Sequence, residues 1–214
     1  FINLLASENL NISAQNISID KVKEISIFEN NVVILDDQNN EIKSNYAEYN
    51  NKTNFISLKN NIVIKDRLGN IFKSEIATYD NNKKIFNSLG LTTIETIEGY
   101  FVTTENIILD NKNNFTSSDK ATIIKDQDKN TIYLSNFEYK KNKYIFKSVG
   151  DIEIIDKLNN VYRLSQIYID EKKKEITGSD SKAYLNNVDF KINENNKPRI
   201  FSNTIHLKGE KSKF

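Results

Sequence analysis

The sequence predicts an all-β protein: a V-shaped, two-walled stack of about 13 bent antiparallel strands built from repeats of about 30 residues. Three observations carry that prediction. Apolar and polar residues alternate with a period of two through segments rich in Ile, Val, Tyr, Phe and Thr. Clusters of Asp, Asn and Gly, the residues that tight turns require, punctuate these segments at a fixed interval. No comparable stretch keeps the 3.6-residue apolar stripe of an amphipathic helix.

The interval shows in two marks. Asn31-Val32-Val33-Ile34 is followed by Asn61-Ile62-Val63-Ile64, Leu91-Thr92-Thr93-Ile94, Lys120-Ala121-Thr122-Ile123 and Asp151-Ile152-Glu153-Ile154. A second mark steps by thirty through Ala47-Glu48-Tyr49, Ala77-Thr78-Tyr79, Ile107-Ile108-Leu109, Phe137-Glu138-Tyr139 and Ile167-Tyr168-Ile169. Each unit also holds two turns. One set lies near residues 36–40, 66–70, 96–99, 126–130 and 156–160, the other near 50–52, 80–82, 110–112, 140–142 and 170–172.

Alternation assigns the inward face. The first segment type turns Val32, Ile34, Ile62, Ile64, Ile94, Ile123, Ile152 and Ile154 inward, leaving Lys65, Glu95 and Glu153 to water. Ile56, Phe86, Phe146 and Ile176 enter these segments with the same parity. The returning segments turn in Ile42, Phe72, Val102, Ile132 and Tyr162, then shift by one residue to the pairs Ala47/Tyr49, Ala77/Tyr79, Ile107/Leu109, Phe137/Tyr139 and Ile167/Ile169. A parity change at the same place in every unit predicts a bulge that bends the strand. Asn60, Gly90 and Gly150 mark equivalent bends in the longer segments. The pattern fits two interiors equally: a core filled by its own side chains, or an apolar trough that a lipid would occupy.

Composition narrows the function classes. The chain has 214 residues, with 30 Lys+Arg against 29 Asp+Glu and a net charge of +1, which argues against a nucleic-acid partner. Cys is absent and His occurs once, so thiol and imidazole chemistry are nearly excluded. Asn occurs 33 times against six Gly and one Pro, and takes over part of glycine's work in left-handed turns. No apolar run approaches the roughly 18 residues of a membrane-spanning helix. Met is missing even at position 1, so a processed or excised segment is expected, with residues 1–16 a signal-peptide remnant or disordered start. The repeat body is expected over 17–192, and its end, with a junction, over 193–214.

No residue set points to catalysis, a metal or a cofactor. Asp126-Gln127-Asp128-Lys129-Asn130 opens like a calcium loop but lacks the sixth-position Gly, and Phe137 stands where the bidentate acid belongs. His206 has no second imidazole or thiol beside it. The turn sets with their flanks differ in charge: residues 36–41, 66–70, 95–99, 126–130 and 156–160 sum to −6, and residues 50–54, 80–84, 110–114, 140–144 and 170–175 to +5. The second set makes Lys83, Lys84, Lys140, Lys141 and Lys143 a possible headgroup rim, against the plainer reading of an unevenly charged solvated surface.

The units resemble the OstA-like repeat of lipopolysaccharide transport proteins. They share an Asn/Gly-Val-x-Ile opening, a turn, and an x-Ser-x-x-Ala-x-Tyr-Asp return, matched best by Ser44–Asn50 and Ser74–Asp80. Asp189-Phe190-Lys191-Ile192 followed by Asn196-Lys197-Pro198-Arg199-Ile200-Phe201 is similar to the junction after the periplasmic domain of the family's outer-membrane branch, LptD. The resemblance implies a bent periplasmic β-jellyroll, attached to the outer membrane in its parent, that passes lipopolysaccharide acyl chains along its interior without enzymatic activity. It also implies edge-strand stacking on an LptA-like bridge protein, with about Ile17–Phe28 as the candidate edge. For an LptD parent it implies a C-terminal barrel with its plug lipoprotein. A free bridge protein of the LptA type shares the repeat, and a β-solenoid or adhesin with a closed core is the rival outside the family.

Overall fold

Period-two runs of β-branched and aromatic side chains, closed by Asp and Asn turns, leave this chain little choice but strand and hairpin. The computed structural model describes residues 10–36, 40–186 and 198–208, and all their regular structure is strand. The chain divides into two compact units, Phe1–Thr116 and Ser117–Phe214.

The first unit contains β1 (Leu10–Ser13), β2 (Asn16–Asp20), β3 (Ile25–Asp36), β4 (Glu41–Asn50), β5 (Phe55–Lys65), β6 (Ile71–Asp80), β7 (Ile85–Leu89), β8 (Leu91–Glu95), β9 (Phe101–Glu105) and β10 (Ile108–Asp110). β11 (Phe115–Ser118) crosses the boundary. The second holds β12 (Thr122–Lys125), β13 (Thr131–Leu134), β14 (Phe137–Lys140), β15 (Ile145–Ile155), β16 (Val161–Asp170), β17 (Glu175–Tyr184) and β18 (Arg199–Lys208). Within each unit, successive rungs pair antiparallel. Five rungs are broken in two: β1 and β2 both pair with β3, for example, and β7 and β8 both pair with β6. Joining β1/β2, β7/β8, β9/β10, β11/β12 and β13/β14 gives thirteen strands among the described residues, against the roughly thirteen expected from the repeat.

The bends fall at the expected places. Asn30–Asn31 and Asn60–Asn61 are successive residues with φ between 51° and 66°, and Gly90 and Gly150 have φ of 82° and 114°. The register slips there, between Glu29 and Val32, Lys59 and Ile62, and Val149 and Ile152. The returning strands slip opposite, between Lys43 and Tyr46. A bulge of this kind rotates the strand, so that Ile56 and Leu58 on one arm and Ile62 and Ile64 on the other all face one interior. In the first unit the arms close face to face. Phe72, on the arm that pairs with Ile64 and Ile94, meets Phe86, on the arm that pairs with Tyr79 and Leu109.

Volume is balanced along the corner row. Ala47 lies between Phe28 and Leu58 in the ladder, and Ala77 between Leu58 and Ser88. In the second unit the order inverts: the large Ile167 lies between Ser148 and Gly178. A Cβ at Gly178 would come within 2.4 Å of Leu164 Cδ2 and 3.1 Å of Ile205 Cγ1. The replacement of Ala47 and Ala77 by Ile107, Phe137 and Ile167 in the later units is thus a swap of large and small partners that preserves packing.

Three expectations need correction. Ile123 does not face inward: it pairs with exposed Tyr133, while Ile124 pairs with Ile132 and buried Thr122 with Leu134. The true step there is thirty residues from Ile94 to Ile124, and alternation then puts Ile123 on the outward face. Strand begins at Leu10, so residues 10–16 pair with the body and are no unstructured start; residues 1–9 lie outside the described residues. Ile17–Phe28 is not one edge strand: β2 ends at Asp20, a turn follows, and Phe28 sits buried in β3 between β2 and β4. The junction residues Asp189–Lys197 lie outside the described residues, and Arg199–Lys208 pairs with β17.

Candidate functional site: the apolar interior and its ends

Within each unit the successive rungs contribute side chains to an apolar interior. Of the residues expected there, Val32, Ile34, Ile42, Ala47, Ile56, Ile62, Ile64, Phe72, Ala77, Tyr79, Phe86, Ile94, Ile107 and Leu109 are buried in the first unit. Phe137, Tyr139, Ile152, Ile167 and Ile176 are buried in the second. Tyr49, Val102, Ile132, Phe146, Ile154, Tyr162 and Ile169 are half-buried. Phe28, Leu58, Leu134 and Leu164 join the core and were missed, although Phe28 and Leu58, and likewise Leu134 and Leu164, are thirty residues apart, and the three leucines each lie two residues from an expected position.

The units differ in how tightly they close. In the first, Ile34, Ile42, Ile56, Ile64, Phe72, Tyr79 and Phe86 are all at 0% exposure, so their own side chains fill the interior. In the second, half-buried Ile132, Ile154 and Tyr162 on one arm and Phe146 and Ile169 on the other remain partly open to water.

Hydroxyls line the bends and replace ladder bonds that the bulges remove. Ser44 and Ser74 donate to the carbonyls of Tyr46 and Ile76, each at 3.1 Å. Thr92 Oγ1 donates to Gly90 O at 3.0 Å, and Ser88 Oγ accepts from Ile107 N at 2.9 Å. Every such bond satisfies a polar group that burial would otherwise leave costly. The Ser of the x-Ser-x-x-Ala motif is therefore the corner's support.

Among the described residues, the first rung of the first unit and the last rung of the second keep the inward parity of their neighbours and are exposed. Ile17 and Ile19 of β2 stand opposite buried Phe28 and Ser26, yet are 53% and 64% exposed. Leu207 and Ile200 of β18 stand opposite Ile176 and Ala183, and are 52% and 57% exposed. Repeat proteins ordinarily finish with polar capping faces; these rungs finish with apolar ones.

Turn chemistry accounts for the lips. In the second turn set, Asp20, Asp80 and Asp170 accept backbone N–H bonds from the residue three ahead, at 2.9–3.0 Å. Those bonds hold each carboxyl below its ordinary value, against the opposing pull of burial. The fourth turn residue is left-handed in every hairpin of the set: Glu24, Asn54, Lys84, Asn114, Tyr144 and Lys174. The expected rim lysines sit on this lip. Lys83 pairs with Asp80 at 3.2 Å and Lys84 Nζ donates to Asn81 Oδ1 at 2.8 Å. Lys140 and Lys143 are exposed and Lys141 half-buried.

The first turn set carries an asparagine ladder that the motif reading missed. Asn40, Asn70, Asn130 and Asn160 accept, through Oδ1, the backbone N–H of Arg67, Ile97, Lys157 and Asn186 in the turn that follows, at 2.7–3.0 Å. The latter three also donate Nδ2 to an aspartate of their own turn, Asp66, Asp126 and Asp156. The signal was present as Asn at 40, 70, 130 and 160. Asp126 is thus engaged by Asn130, and no group of three possible metal ligands gathers among the described residues. Burial raises and the Asn160, Leu158 and Tyr162 bonds lower the Asp156 carboxyl, with a net fall below its ordinary value. Burial and Asp156 raise the Tyr162 hydroxyl. His206 Nδ1 lies 3.2 Å from Thr177 Oγ1 on an exposed strand.

No family model matches this chain, and no curated protein matches it in sequence. Among solved structures it is similar to LptH, the LptA-homologous periplasmic component of the lipopolysaccharide transport device from Pseudomonas aeruginosa. Identity is 7% and the TM-score 0.21, over 91% of this chain and 95% of that one. So slight a likeness carries neither function nor partners across.

Proposed function

We propose that this chain is a non-enzymatic periplasmic segment of a lipid conduit, shielding lipopolysaccharide acyl chains in its apolar interior and passing them toward the outer membrane. The observation that carries the reading is the apolar finish of both terminal rungs, Ile17 and Ile19 on one and Ile200 and Leu207 on the other. A self-contained core would end in polar caps. Rungs that end apolar and extended suit a further strand laid against them, with an LptA-like bridge protein or the jellyroll of a neighbouring component as partner. Acyl chains entering such an interior gain about 0.8 kcal/mol per buried CH₂. The interior of the second unit, already partly open, is the natural site of first contact. Passage through the first unit requires its arms to part about their corner bulges. The lysines at 83, 84, 140, 141 and 143 would meet headgroup phosphates on the second lip. An LptD segment leading to a barrel with its plug lipoprotein and a free LptA-type bridge are both compatible with this reading.

A closed-core structural solenoid is favoured by one observation, the 0% exposure of Ile34, Ile42, Ile56, Ile64, Phe72, Tyr79 and Phe86 in the first unit. A photo-crosslinking residue at Ile64, Ile124 or Ile154, with outward Ile123 as the control, separates the two. Adducts with lipopolysaccharide at the inward positions and none at Ile123 support the conduit. Purely intramolecular adducts at all three inward positions leave the closed solenoid.

A further inference from the structure

The outward face of the arm formed by β15–β18 carries two side-chain rows that neither the interior nor the lysine rim uses. In one, Glu153, Arg163, Lys182 and Phe201 stand opposite one another across successive strands; in the next stand Ile155, Val161, Tyr184 and Arg199. Arg163 Nε holds Glu153 at 2.8 Å. Lys182 and Arg199 have no carboxylate within ion-pair distance among the described residues, and Arg163 and Lys182 are like charges placed directly opposite. Such a pairing is unfavourable in an isolated sheet and is relieved by an external anion. The guanidinium carbons of Arg163 and Arg199 lie 5.6 and 5.8 Å from the Tyr184 ring centroid, and Phe201 meets that ring edge-on at 6.3 Å. Phe201 is 61% exposed, and Leu158, at the tip of the β15–β16 turn, 49%. Charge over the whole unit runs the same way. Ser117–Phe214 has 19 Lys+Arg against 14 Asp+Glu, net +5, whereas Phe1–Thr116 has 11 against 15, net −4.

We infer that this face is a docking surface for an anionic lipid headgroup layer. Cations with exposed aromatic and aliphatic side chains beside them are the composition that settles at a membrane interface: the cations meet lipid phosphates and the rings sit at headgroup depth. A purely electrostatic partner would leave the exposed Phe201 unexplained. This site lies on the outside of the sheet and goes beyond the conduit reading.

The test is sedimentation of the whole chain with phosphatidylcholine vesicles, with and without phosphatidylglycerol. Binding is expected only with phosphatidylglycerol and should weaken with salt. Arg163→Gln/Lys182→Gln/Arg199→Gln, checked for an unchanged unfolding temperature, should lower partitioning by about ten- to a hundredfold. Because the chain has no Trp, Phe201→Trp supplies a single reporter whose emission should shift to the blue with phosphatidylglycerol vesicles, while Tyr46→Trp on the first unit should not shift. Absence of vesicle binding overturns the inference, as does wild-type binding by the triple variant, or retention on a soluble polyanion such as heparin without vesicle binding. No interior residue is altered, so failure here leaves the conduit reading standing.

Discussion

Phe72 and Phe86 meet edge to face, with ring centroids 5.2 Å apart and planes at 86°, although they belong to opposite arms of the bent sheet. Both are at 0% exposure. Their contact is where the first unit's interior is held shut, and either a stable core or a gated passage must answer to it.

Phe72→Ala and Phe86→Ala should each destabilise the chain by about 3–5 kcal/mol, since each removes a fully buried ring. The double variant should fall short of the sum by about 0.5–1.5 kcal/mol, the coupling of an aromatic pair. Urea unfolding of the four proteins measures this; strict additivity would mean that the arms do not depend on one another there.

Gly178→Ala should cost about 1–3 kcal/mol, because the added methyl would overlap Leu164 Cδ2. Combined with Leu164→Ala, itself the costly loss of a buried Leu, the total should fall short of the sum of the two single losses. Thermal unfolding of the single and double variants checks it, and equal or additive losses would place the clash elsewhere.

Tyr144→Asn should stabilise the protein by about 0.5–1 kcal/mol. Tyr144 is a half-exposed residue with φ 57°, a conformation that costs a bulky side chain about 1–2 kcal/mol and that Asn tolerates. Asn54 and Asn114 already occupy the equivalent turns. A lower unfolding temperature in the variant would refute it.

Asp20, Asp80 and Asp170 have carboxyls held below the ordinary 3.8 by backbone N–H donors. A depressed folded-state value gives stability that is present above about pH 4 and lost as pH falls through that depressed value. Asp80→Asn/Asp170→Asn should therefore flatten the acid limb of the stability–pH curve by lowering stability at neutral pH toward its acid value, with the turns themselves kept. Asn50, which accepts Thr53 N at 3.0 Å, shows that the amide can hold the turn. Denaturant titrations from pH 7 to acid, with an unchanged acid limb as the refuting outcome, decide it.

Much of this fold was legible because a period of two and a period of thirty reinforce each other. A single inward residue such as Ile64 is repeated in phase by Ile34, Ile94 and Ile154, so errors in one unit are corrected by the rest. The misplacement of Ile123 arose where that support thinned: Thr122 and Ile124 hold the inward parity, but a β-branched polar residue between apolar neighbours reads as outward by composition alone. Phe28 and Leu58 were hidden by the small residues that replace them in later units, because packing conserves the summed volume across the ladder and not the residue at one position. The closure of the first unit could not be read at all. Whether two apolar walls touch depends on the depth of the bend, which Asn60 and Asn61 set through φ and ψ and not through hydrophobicity.

The asparagine ladder gives one lip a direction. Asn70 grips its own turn with its amide nitrogen and the succeeding turn with its carbonyl oxygen, so losing it would free the amide of Ile97 while leaving that of Arg67 still held by Asn40. Loosening after such a loss should show at the turn that follows, around Ile97, and not at the one that precedes, around Arg67. Amide exchange would show it as a one-sided gradient of protection.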